Sequence, residues 1–189
     1  MPSSASTQKM VELLDQAVQA NGIESIANGV KDALIEVMKT GALHLDKDCT
    51  QPCPDSYGRR LLHNDPGGRY SVVAMIWGKG QGTPIHDHDN KWCVECVYQG
   101  DILVTSYEVC DTAEKDRVTV EFCGTQEAAI GNAGALIPPF DYHVIENKAD
   151  ATAVTIHVYG GEMNGCNVYV PVPNSTLYER QWKSLCYSD

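Results

Sequence analysis

His86 and His88, with Gly80 ahead of them and Cys93 and Gly100 behind, are the residues of this chain whose types and spacing most directly imply chemistry. The run Gly80-x5-His86-x-His88-x4-Cys93-x6-Gly100 sets the two histidines two residues apart, which is the side-chain period of a strand. Both imidazoles then leave the same face about 6.6 Å apart, at about 3.3 Å per residue, and can converge on one ion at roughly 2.1 Å each. Pro84 biases Thr83 toward extended backbone, and Gly100 is placed to close the strand that follows. The alternative is a pair on a solvated strand face that binds nothing; the glycine spacing on either side weighs against it.

A third ligand is expected from Pro138-Pro139-Phe140-Asp141-Tyr142-His143-Val144-Ile145-Glu146-Asn147. The rigid proline pair can deliver His143 in a fixed direction; otherwise His143 is a core histidine bonded to backbone. Three neutral imidazoles leave the charge of a divalent ion uncompensated, so an anionic ligand is wanted. A closed structural zinc site would use four protein ligands, whereas three histidines leave positions open. That geometry is close to the facial triad of the non-haem iron oxygenases, with histidine replacing the carboxylate.

The first run resembles the first of the two cupin motifs, with Cys93 where that superfamily usually has glutamate. Residues 138–147 resemble the second, with Phe140 and Asn132 at positions that usually hold glycine. More specifically, the chain is similar to the cysteine dioxygenase family, the thiol dioxygenase branch of the cupins. Tyr57-Gly58-Arg59, Trp77-Gly78, Gly80-x-Gly82, Ile85-His86-Asp87-His88, Cys93 and Gln99-Gly100 keep that family's order and spacing. Thr155-Ile156-His157-Val158-Tyr159 matches its (Ser/Thr)-x-His-x-Tyr triad. The resemblance covers residues 55–170, with looser agreement in the N-terminal helices and the last twenty residues.

The resemblance implies that His86, His88 and His143 bind Fe(II) and that Arg59 clamps a substrate carboxylate, a task suited to the planar guanidinium fork. Arg60 is the competing choice, on the opposite face of the strand; a solvated edge is the alternative for both. Tyr159 is implied to present its hydroxyl to the substrate, with His157 and Thr155 beneath it on the same strand face. In the animal enzymes that tyrosine is joined to the cysteine by a thioether bond, and Cys93 and Tyr159 hold both positions here; a free core cysteine near a buried tyrosine is the other reading.

Other titratable residues draw plainer expectations. Glu95 shares strand parity with Cys93 but stands about 6.6 Å further along, so an ion pair or hydrogen-bonded barrel position is expected rather than direct ligation. Asp87, between the histidines, is expected to brace the strand or its neighbours. Cys93 and Cys96 should face opposite sides of their strand. Cys49-x3-Cys53 has no second pair at metal-site spacing, and the cysteines suggest no disulfide framework. His44 and His63 are assigned no role.

These residues need a scaffold, and 189 residues suffice for one domain with a sizeable core. Apolar residues from Val11 to Val18 and from Ile23 to Met38 recur at helical spacing. Asn21-Gly22 separates the two helices they predict, and Gly41 ends the second. Short strands are predicted at 59–63, 69–77, 84–88, 92–98, 101–109, 117–122, 134–137, 142–147, 152–159 and 166–171. The expected fold is mainly β: a double-stranded jelly-roll barrel of the cupin type over residues 55–170 with N-terminal α-helices in residues 1–45 and a C-terminal extension at 171–189, all in a single domain.

A net charge of −11 with no basic stripe argues against nucleic acid and anionic membrane as partners. No apolar run approaches the roughly 20 residues that span a bilayer, and residues 1–7 do not read as a signal peptide; a soluble, cytoplasmic chain with no obligate protein partner is expected. The implied activity is an Fe(II)-dependent thiol dioxygenase converting L-cysteine and dioxygen to cysteine sulfinic acid. Relatives acting on mercaptopropionate tend to carry glutamine at the position of Arg59, which favours cysteine. Pro84 and Gly160-Gly161-Glu162 look more like bacterial members, which keeps mercaptopropionate or mercaptosuccinate open. A metal-binding cupin without catalysis, or a zinc or nickel enzyme, are the readings from other classes.

Overall fold

The computed structural model describes residues 4–188. Two helices, α1 (Ser4–Ala17) and α2 (Ile23–Thr40), precede eleven strands. Gly22 breaks the helical run with φ 90. Gly41 adopts φ 63, the left-handed conformation that glycine takes without a Cβ penalty, and its N–H donates to Met38. Ala27, Val30, Ala33, Leu34 and Val37 form the buried stripe of α2.

One antiparallel sheet has the order β1-β2-β9-β4-β7, built from β1 (Gly58–Asn64), β2 (Ser71–Trp77), β9 (Ala153–Tyr159), β4 (Cys93–Gln99) and β7 (Ala133–Leu136). The remaining six strands, β10 (Gly165–Pro171), β11 (Tyr178–Ser184), β6 (Arg117–Ala129), β5 (Asp101–Asp111), β8 (His143–Glu146) and β3 (Ile85–His86), close into a hydrogen-bonded ring in that order. The chain is thus mainly β, a jelly-roll barrel with N-terminal helices.

Every residue of β2 and β9 is buried, so both faces of this sheet are covered. Alternation decides what covers each face. Val72, Ala74, Val94, Cys96, Ile156 and Val158 pack beneath the helices. Val73, Met75, Trp77, Cys93, Val97 and Tyr159 point into the barrel. Because even positions of these strands are claimed by the helical layer, Thr155, His157 and Tyr159 are driven to the barrel interior. Cys93 and Cys96 fall on opposite faces, as expected, and all eight cysteines are free.

The structure corrects three strand boundaries. Residues 178–184 form β11, paired with β10 along its whole length, where only an extension was expected; four of its seven residues are exposed and it carries no apolar alternation. β6 continues past 122 to Ala129, held by β5 across a register shift beside Gly124 rather than by β-branched side chains. β3 holds only Ile85 and His86, because Asp89 and Asn90 adopt left-handed φ values of 52 and 57 and turn the chain just after His88.

Candidate metal centre

His86 on β3 and His143 on β8 are direct cross-strand partners, which brings their Nε2 atoms to 3.3 Å. His88, two residues beyond the ladder, completes the group: the ring centroids lie 4.6 to 5.3 Å apart, and one donor atom from each histidine falls within 4.8 Å of the others. His88 and His143 are fully buried and His86 is half-buried.

The outward nitrogens fix two tautomers. His86 Nδ1 lies 3.1 Å from the Pro84 carbonyl, and His88 Nδ1 lies 3.0 Å from Asp141 Oδ2, which also accepts the His88 backbone N–H at 3.1 Å. Each acceptor calls for a proton on Nδ1, which leaves Nε2 with a free lone pair facing inward. His88 Nε2 is buried and has no hydrogen-bond partner, an orphaned acceptor of the kind that needs a ligand to account for it. Burial, together with His88 alongside, lowers His86 to about 4, and burial holds His143 well below the ordinary imidazole range. Neutral, converging imidazoles of this kind are suited to a divalent cation.

Three cross-strand pairs of β4 and β9 line the barrel beside the histidines: Cys93 with Tyr159, Glu95 with His157, and Val97 with Thr155. Trp77 Nε1 donates to Thr155 Oγ1 at 2.9 Å. Thr155 Oγ1 in turn lies 2.7 Å from His157 Nε2. Tyr159 stacks on His157 at 5.9 Å and lies 6.0 Å from His88; its hydroxyl donates to Met75 Sδ at 3.7 Å. Burial pushes both the Cys93 thiol and the Tyr159 phenol well up, so both are protonated near neutrality.

Arg59 and Arg60 separate as the strand period demands. Arg60 pairs with Ala74 on the helix-facing side, whereas Arg59 pairs with Met75 on the barrel side and is 4% exposed. Arg59 donates through Nη2 to the Met163 carbonyl at 3.1 Å and through Nη1 to that of Cys186 at 3.3 Å, and lies over the ring of Tyr187 at 5.2 Å. It walls a cavity together with Tyr57, Met75, His86, His88 and Tyr159. A second cavity of about 210 Å³ reaches the centre from elsewhere, past Glu95 and His143 between apolar walls that include Val97, Val104 and Leu136.

Glu95 takes the ion-paired barrel position expected of it. It is buried, and Oε1 lies 3.1 Å from His157 Nδ1 and 3.5 Å from His143 Nε2. Asp141 was not singled out at all; its only trace in the sequence is a carboxylate two residues ahead of His143. Asp87 braces as expected, accepting from the Asn167 backbone at 2.9 Å, Asn167 Nδ2 at 2.8 Å and the Tyr169 hydroxyl at 3.1 Å, which ties β3 to β10.

Comparison with known proteins adds an independent line. A family model described as "Cysteine dioxygenase type I" matches residues 3–171. Among curated relatives, human cysteine dioxygenase type 1 is 25% identical over 116 residues, covering 60% of this chain and 55% of that one. The Danio rerio protein of the same name is 26% identical over 118 residues with the same coverage. The chain spans about half the length of the curated relatives it matches. Among solved structures, TT1209 from Thermus thermophilus has a TM-score of 0.47 at 17% identity, covering 62% of this chain and 96% of that chain. A Cupin 2 conserved barrel domain protein from Salinispora arenicola has a TM-score of 0.43 at 15% identity, covering 61% and 84%.

Proposed function

The chain belongs to the cysteine dioxygenase type I family, and on that premise we propose that it is an iron-dependent thiol dioxygenase whose substrate is L-cysteine and whose product is cysteine sulfinic acid. The observation that carries this reading is the orphaned His88 Nε2 at the meeting point of three converging imidazoles, beside a cavity walled by a buried arginine. In this reading His86, His88 and His143 hold Fe(II), which supplies the redox chemistry that joins a thiolate sulfur to both atoms of dioxygen.

The protein's own groups do the positioning. Arg59, prealigned by Met163, Cys186 and Tyr187, pairs with the substrate carboxylate and sets the reach from that carboxylate to the sulfur. The Trp77–Thr155–His157 hydrogen-bond chain fixes the ring on which Tyr159 stacks, and Tyr159 offers its hydroxyl to the bound thiol. Cys93 Sγ and a ring carbon of Tyr159 ortho to its hydroxyl form a thioether during turnover, losing one S–H and one C–H hydrogen in a two-electron oxidation for which dioxygen is the acceptor. Met75 and Trp77 keep this face of the site apolar. The same reading takes the chain as one domain, since the helices share a core with the sheet that carries Glu95 and His157. No helix among the described residues is long and apolar enough to cross a membrane.

Oxygen consumption by the iron-loaded protein with L-cysteine, 3-mercaptopropionate, mercaptosuccinate and cysteamine tests the substrate. Uptake with cysteine and none with cysteamine, which lacks the carboxylate, is expected; uptake with cysteamine alone would contradict the role of Arg59.

A further inference from the structure

Arg59 is a buried cation whose hydrogen-bond partners, the Met163 and Cys186 carbonyls, and whose aromatic neighbour, Tyr187, carry no charge. A buried charge without a counter-charge is costly, so the guanidinium calls for an anion, and its remaining N–H donors are the ones a carboxylate would take. The uncharged partners therefore decide where the fork points. Cys186 and Tyr187 both belong to one short stretch, residues 185–188, that follows β11.

This stretch joins the two sheets. β11 belongs to the ring, yet beyond Ser184 the chain crosses to β1, the edge strand of the other sheet. There the Ser188 N–H donates to the Arg59 carbonyl at 2.7 Å, and the Arg59 backbone N–H donates to Ser188 Oγ at 3.0 Å. Arg59 is thus flanked by Met75 of β2 on one side and by Ser188 on the other. At the near end the Leu185 N–H donates to the Asn164 carbonyl at 2.9 Å, next to Met163, the remaining partner of the guanidinium. The alternation of β11 carries on through the stretch: Lys183 and Leu185 line the same cavity as Arg59, and the Tyr187 ring lies against the guanidinium at 5.2 Å, a cation–π distance. The Tyr187 hydroxyl is buried and makes no hydrogen bond, so the ring alone acts on Arg59.

We propose that residues 185–188 are a positioning strap for Arg59, and that Tyr187 and Ser188 set the preference of this cavity for thiols that carry a carboxylate. The family model matches residues 3–171, so the strap lies outside the matched stretch. The inference rests on the carboxylate role given to Arg59 in the preceding subsection and deepens it by naming what fixes that specificity. A guanidinium held in place before binding loses little freedom when the carboxylate arrives, whereas one released from the strap must be ordered by the ligand itself. The strap acts on the carboxylate end of the ligand and leaves the sulfur end, at the histidines, alone.

Anaerobic titration of the iron-loaded protein with L-cysteine and with cysteamine, followed by calorimetry, reads this preference without turnover. Tyr187→Leu should weaken L-cysteine about tenfold, the scale of a desolvated cation–π contact, and leave cysteamine affinity and iron content unchanged. Tyr187→Phe, which keeps the ring, should restore L-cysteine binding to the wild-type level. Equal weakening of both thiols, or an unchanged L-cysteine affinity in Tyr187→Leu, overturns the inference while the role of Arg59 stands. A wild-type protein that binds the two thiols equally overturns that role and the inference with it. If Tyr187→Leu does not fold, Ser188→Ala decides. It removes only the acceptor of the Arg59 backbone N–H and should weaken L-cysteine, but not cysteamine, by about twofold to tenfold, the scale of one hydrogen bond; an unchanged preference overturns the inference.

Discussion

Cys93 and Tyr159 face each other directly across β4 and β9, as partners in the ladder that also pairs Glu95 with His157. Directly opposed residues of an antiparallel pair place their Cβ atoms about 4.5–5.5 Å apart on one face, and here that face is the dry interior of the barrel. The pairing leaves a thiol and a phenol side by side, both kept protonated by burial.

That pairing predicts a thioether. Iron-loaded protein after turnover with substrate should yield a species lighter than the starting chain by two hydrogen atoms, and peptide mapping should join the Cys93 and Tyr159 peptides. Cys93→Ala should remove the species. A mature enzyme with Cys93 fully alkylatable would contradict it.

Arg59→Gln should act on substrate binding. Charge-assisted hydrogen bonds contribute about 1.5–3 kcal/mol, so KM for a thiol carboxylate should rise roughly 10-fold to 100-fold at about 1.4 kcal/mol per tenfold, with kcat less affected. Comparable losses in kcat alone would place Arg59 outside the substrate site.

Asp141 touches no substrate, yet it holds the tautomer and direction of His88. Asp141→Asn should weaken metal binding about 10-fold to 100-fold, as loss of an outer hydrogen-bond partner does, measured by competition with a chromophoric chelator. An unchanged affinity would mean that packing alone orients His88.

The pH dependence of the metal-free protein follows from the imidazoles. His86 is lowered to about 4 and His143 is lowered as well, chiefly by burial, while an unfolded histidine titrates near about 6.5. Between those values the unfolded chain binds protons that the folded chain refuses, so stability is full above about pH 6.5 and falls as the pH drops toward 4. The thermal midpoint followed across that window should decline, and less steeply in His86→Gln. A midpoint that rises on acidification would contradict the assignment.

Much of this site was legible because it depends on periods of two. His86 and His88, and likewise Thr155, His157 and Tyr159, share a side by parity alone, and the same rule separated Arg59 from Arg60 and Cys93 from Cys96. The helix ends were legible in Asn21-Gly22 and Gly41, where a conformation rather than a contact was required. What escaped depends on contacts between distant segments. Asp141 reaches His88 across 53 residues, and no local pattern marks such a partner. β11 is held by pairing with β10 and leaves most of its side chains exposed, so it lacks the apolar alternation that announces a strand. Glu95 was legible as a paired barrel carboxylate, but its partners His143 and His157 were not, because spacing along a strand fixes where a Cα stands and not which neighbouring strand supplies the partner.

The central claim is that this chain transfers both atoms of dioxygen to a thiol sulfur at the centre formed by His86, His88 and His143. The most direct test is turnover of iron-loaded protein with L-cysteine under ¹⁸O₂, with the product analysed by mass. The account predicts cysteine sulfinic acid carrying two labelled oxygens, and no product from His86→Ala. Unlabelled or singly labelled product, or cystine alone, would contradict it.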